Sequence, residues 1–153
     1  MIAEAGLLRR VSRDLAGARV AALRQGLALM PMTDEPAGAF TDGGDAEVLG
    51  FGRLSAGFER TLGRWSVAGP LAYVEAEYFG GAGEQRAAVW ADGTLVLGPL
   101  DVPVKRWFSR PVGPVSQALR RLGVRRRPGG DEFDAVGLGR HRHTDDWAAS
   151  GAG

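Results

Sequence analysis

The sequence predicts one domain of the α/β class, α+β in arrangement. It should form a single antiparallel sheet of about four strands with two main helices packed on one face. Three observations predict it. Ala87–Trp90 and Thr94–Leu97 are short apolar runs separated by Asp92-Gly93, a strong hairpin signal because a type I′ turn needs positive φ at both positions. Phe51, Leu54, Phe58, Leu62 and Trp65 recur at helical spacing and define one buried face. A second helix opens at Pro114, a favoured first-turn position, and stops at Gly123.

The elements follow in chain order. Residues 1–25 read as an N-terminal arm, helical or disordered. Leu8, Val11, Leu15, Ala18 and Ala22 would form a narrow apolar stripe on a basic helix weakened by Gly6 and Gly17. Residues 26–147 form the domain. Gly26–Met32 is the first strand, with Pro31 marking an edge or an end. Thr41–Asp45 is a loop. The helix carrying Phe51 to Trp65 also carries glycines at 50, 52, 57 and 63, each costing about 1 kcal/mol in a helix interior, so packing must hold it. Leu71–Phe79 is the next strand, joined through Gly80–Gly83 to the hairpin. Trp107 and Phe108 fall in an irregular lid, Phe133, Val136 and Leu138 return to the core, and Thr144 caps a last helix around Trp147. Residues 148–153 are a disordered tail.

Composition narrows the function classes. The chain has 153 residues, enough for an unaided core, and no cysteine, which removes disulfides, thiolate nucleophiles and cysteine-ligated zinc. No apolar run reaches the length of a membrane span, and no signal peptide opens the chain. A cytoplasmic setting is expected. Lys105 is the sole lysine beside many arginines, a bias typical of a GC-rich bacterial genome. Net charge is +1, but the charges are segregated: 33–50 carries only acids, 105–127 only bases. Such blocks either pair within the fold or face a charged partner.

The residues that could carry chemistry centre on Leu71–Phe79. Strand alternation puts Ala72, Val74, Ala76 and Tyr78 on one face, toward the core, and Tyr73, Glu75, Glu77 and Phe79 on the other. Glu75 and Glu77 would stand ~6.5 Å apart. With Glu84 they make an acidic, aromatic-rimmed surface suited to a basic protein partner. The same carboxylates, helped by Asp131, Glu132 or Asp134, could instead hold a divalent cation in a hydrolase or nuclease. The glycines at 80, 81 and 83 lack the Lys-Ser/Thr and the following helix that a phosphate loop needs. His141 and His143 are too few for zinc without acidic help from Asp145 or Asp146. No serine sits in a G-x-S-x-G elbow. Arg120, Arg121 and Arg125–Arg127 could contact phosphates of a nucleic acid, although the domain as a whole is not basic.

The stretches Ala72–Gln85 and Asp131–Arg140, together with Trp90, resemble a family of uncharacterised small bacterial α/β proteins of the toxin-immunity type. The resemblance spans 26–147 and brings no catalytic residues. It implies a non-enzymatic module that neutralises a toxin. The expected reading is therefore a protein-binding module using Tyr73, Glu75, Glu77, Phe79 and Glu84, with no catalytic residue, no metal and no cofactor. The metal-dependent hydrolase and the arginine-based nucleic-acid binder are the alternatives.

Overall fold

The computed structural model describes residues 1–40, 48–79, 82–102 and 112–151. Six strands form one antiparallel sheet: β1 (Ile2–Glu4), β2 (Ala21–Ala22), β3 (Leu27–Leu29), β4 (Leu71–Phe79), β5 (Ala82–Ala91) and β6 (Thr94–Val102), in the order β2-β3-β1-β4-β5-β6. The helices are α1 (Ala5–Val11), α2 (Asp34–Gly38), α3 (Ala56–Ser66), α4 (Pro114–Arg121), α5 (Glu132–Val136) and α6 (Thr144–Ser150).

The antiparallel sheet and its hairpin are as the sequence predicts. Asp92 and Gly93 both take positive φ, 51° and 81°, and Leu71–Phe79 is β4 to the residue. The turn is held on the end of α3, with the Asp92 and Gly93 N–H groups donating to the Ser66 carbonyl and hydroxyl. A Cβ on Gly63 would meet the Gly93 carbonyl at 3.4 Å, so this glycine allows the close approach of helix and turn.

Three expectations need correction. The sheet has six strands rather than about four, because two come from the first 25 residues. Met1, Ile2 and Ala3 are buried and β1 lies between β3 and β4, so residues 1–25 are part of the sheet and not an arm. Strands of two and three residues are too short to show a period, whereas the apolar positions after them mimic a helix. The helices also flank both faces. Phe58 and Leu62 of α3 pack with Leu71, Tyr73, Ala88 and Trp90, while Ala118 of α4 packs with Ala72, Ala87 and Val89. Alternation along β4 puts those two sets on opposite sides. Glu75 and Glu77 make the Tyr73 side of β4 read as an open polar face, and that hides the second layer. Finally, α6 extends through Ser150, shortening the predicted tail.

Helix α3 begins later than its periodicity suggests. Ser55 caps it, accepting from the Phe58 N–H at 3.1 Å. Phe51 and Leu54 are buried from the preceding loop instead. No helix among the described residues is long and apolar enough to cross a membrane. The Thr41–Asp45 loop, Trp107 and Phe108 lie outside the described residues.

Candidate functional site

Strand β4 has different neighbours along its length. On one side it pairs with β5 from Leu71 to Phe79. On the other, β1 covers only Leu71 and Ala72. Met1 and Met30 exchange both backbone hydrogen bonds, amine to carbonyl at 2.7 Å and N–H to carbonyl at 2.8 Å. In an antiparallel ladder the facing alternates residue by residue. Ile2 therefore faces Ala72, and the next outward-facing backbone groups on β4 are those of Val74 and Ala76. Among the described residues these have no strand partner on that side.

A groove of about 940 Å³ opens there. Its walls are the end of β3 running into Thr33, the second half of β4, the loop at Gly52-Arg53, and the segment from Leu138 to Trp147. The volume lies toward the upper end of ligand clefts, about 300–1,000 Å³. Five carboxylates line it (Asp34, Glu35, Glu75, Glu77, Asp145) with two arginines, Arg53 and Arg142, and with His141 and His143. Met1 lines it too, and burial lowers its amine from the ordinary value to about 5.

The predicted site residues separate into distinct roles. Tyr73 is buried at 2% exposure, its ring edge-on to Phe51 and Phe58. Its phenol donates to Glu75 Oε1 at 3.0 Å. Burial pushes that phenol above its ordinary value, and the Glu75 charge and hydrogen bond add to the effect. Glu75 also accepts from the Gly52 N–H at 2.8 Å and the Arg53 N–H at 2.9 Å. Its cross-strand neighbour Arg86 reaches the Gly50 carbonyl. Glu75 and Arg86 thus clamp the loop that delivers Phe51 to the core. Tyr73 and Glu75 were expected on the partner-facing surface; they serve the fold, because the loop at 50–53 folds back over them from more than twenty residues away in sequence.

Glu77 and Glu84 differ. Both are exposed and stand directly opposite each other on β4 and β5. Among the described residues neither has an ion-pair or hydrogen-bond partner. Like charges directly across a sheet are destabilising. The Phe79 side chain lies outside the described residues.

The acids that a cation would recruit are occupied elsewhere. Asp131 caps α5, accepting from the Asp134 N–H at 2.8 Å. Glu132 is buried and bonded through one oxygen to Arg120 at 2.8–2.9 Å. No three His, Asp or Glu residues among the described ones stand close enough to share a metal ion. His141 packs edge-on against Trp147, and Arg140 lies over the same indole at 5.0 Å. Of the arginine block, Arg121 and Arg125–Arg127 are exposed, and Gln25 holds the Arg125 backbone through two hydrogen bonds.

Sequence reasoning missed the groove itself. The acids at 34–35 and the His-Arg-His run were visible singly, but nothing local indicated that β3, β4 and the Leu138–Trp147 segment would surround one cleft. Comparison with known proteins returns no matching family model, no matching curated protein and no matching solved structure.

Proposed function

We propose that this chain is a non-enzymatic protein-binding module of the bacterial cytoplasm, of the immunity type, that engages a basic partner through the acidic groove and rim beside β4. The observation that carries the reading is the Glu77/Glu84 pair. Two facing carboxylates that have no counter-charge among the described residues cost stability. A basic partner would supply the missing counter-charges, and electrostatic attraction would speed association. The charge blocks support the same direction. Among the described residues only two ion pairs form, Arg53–Asp34 and Arg120–Glu132, and Arg121 and Arg125–Arg127 are exposed.

The surface differs from the one the sequence suggested. Asp34, Glu35, Glu75 and Glu77 line the groove, and Glu84 stands opposite Glu77 on β5, beside it. A metal-dependent hydrolase fits less well, because Glu75 already accepts from three donors and the acids at 131 and 132 are committed to a cap and a buried ion pair.

The test compares wild type with Glu77→Gln/Glu84→Gln. The wild-type chain, immobilised and exposed to bacterial lysate, should capture a basic protein. That protein, purified and titrated back, should bind with an affinity that falls with salt and with the double substitution. Equal affinity for wild type and double variant would contradict the proposal.

A further inference from the structure

Arginines from three separate stretches of sequence meet where the β2–β3 turn touches the segment after α4. The turn is Gln25-Gly26, both with positive φ, 60° and 75°. Gln25 extends its side chain to the Arg125 backbone, donating to the carbonyl at 2.9 Å and accepting from the N–H at 3.0 Å. That segment is anchored at both ends. Val124 is buried, with its N–H on the Leu119 carbonyl at 3.1 Å, and the Gly130 N–H closes a turn on the Arg127 carbonyl at 3.1 Å. Arg125, Arg126 and Arg127 are thus held as an exposed strip. Arg24, the residue before Gln25, leads from the strip to Arg140. A Cβ on Gly137 would lie 3.9 Å from the Arg24 Nε and 3.5 Å from the Arg140 Nε, so both side chains lean on the same glycine.

Most acids at this end of the sheet are already used. Glu4 caps α1, Asp131 caps α5, and Glu132 is buried against Arg120. Among the described residues Arg24, Arg121 and Arg125–Arg127 form no ion pair. A helix C-terminus favours Arg120 and Arg121, but it does not account for the arginines of the turn and the strip. Crowding them raises self-repulsion. The apolar residues beneath, Val124, Val136 and Leu138, are buried. The strip therefore offers charge without the apolar or aromatic anchor on which a protein–protein hot spot depends. A phosphate backbone needs no such anchor, and the planar guanidinium fits its oxygens two at a time. The register also separates the strip from the acidic surface. Leu27, beside the turn, pairs with Glu4 at the end of the sheet where β4 begins, whereas Glu77 and Glu84 lie toward the end where β4 finishes.

We propose that this arginine strip is a second binding surface, independent of the acidic groove, that holds the phosphate backbone of a nucleic acid without reading its bases. The probe is a fluorescein-labelled oligo-deoxythymidine of about twenty nucleotides, titrated with the full chain by anisotropy at about 50 mM salt, with a duplex of the same length alongside. At least one should bind saturably, and about tenfold or more weaker at about 200 mM salt. Arg125→Gln/Arg126→Gln/Arg127→Gln removes exposed charges and should leave Tm little changed. It should weaken binding about tenfold or more and flatten the salt slope by about two. Glu77→Gln/Glu84→Gln should bind the probe no more weakly than wild type. Absence of saturable binding to both forms, or equal binding by the triple variant, overturns the proposal. Poly-glutamate of the same charge competing as well as the unlabelled oligonucleotide overturns it too, and assigns the strip to an acidic protein instead.

Discussion

The two halves of β4 carry the same residue types to different ends. From Leu71 to Tyr73 the residues are buried, and Val74 and Glu75 are half-buried, with the loop at 50–53 folded over Glu75. At Ala76 and Glu77 the residues are exposed, the β1 side is vacant among the described residues, and the carboxylate faces another carboxylate. Glu75 and Glu77 lie two positions apart on one face. One has three hydrogen-bond donors, while the other has none among the described residues. The difference shows that a carboxylate's role is set by which backbone N–H groups the chain brings to it, not by its place in the alternation.

The largest effect that would sharpen this contrast is at Glu75. Glu75→Ala leaves two backbone N–H groups and a buried phenol without their acceptor and frees the loop that seats Phe51. Unfolding in urea should show a loss of about 3 kcal/mol. A loss below about 1 kcal/mol would break the contrast. Tyr73→Phe should cost about 1 kcal/mol by deleting one hydrogen bond. It should also change the alkaline limb. The folded phenol is held above its ordinary value of 10.0, so the unfolded chain loses its proton first and wild-type stability falls as pH rises past that value. The Phe variant should lack this share of the fall, which melting curves between neutral and alkaline pH can read. Glu77→Lys, the smallest effect, replaces a like-charge pair with an opposite pair and should raise stability by about 0.5 kcal/mol at low salt. A drop there would mean that Glu77 supports the fold after all.

How much was legible follows from distance in sequence. The hairpin at Asp92-Gly93, the whole of β4, and the helix opening at Pro114 are local signals: turn chemistry, alternation, and a proline at a first turn. The central strand β1 is not, since Ile2–Glu4 acquires its identity only between Leu27–Leu29 and Leu71-Ala72. The second helical layer was missed because Glu75 and Glu77 mark the face of Tyr73 as open, although α3 packs on it through Tyr73, Ala88 and Trp90. At the site, Glu77 could be read as a surface acid from alternation alone, whereas Glu84, expected in a loop before Ala87, lies within β5. The diversion of Tyr73 and Glu75 into the fold could not, because it depends on a loop approaching from residues 50–53.

The most direct measurement is amide hydrogen exchange along β4, read by NMR in the free protein. Tyr73 and Glu75 direct their N–H groups toward β5, whereas Val74 and Ala76 direct theirs toward the groove. The account predicts that the Val74 and Ala76 amides exchange about tenfold or more faster than those of Tyr73 and Glu75 on either side. Equal protection at all four positions would mean that this side of β4 is covered, and would contradict the reading of the groove beside β4 as accessible.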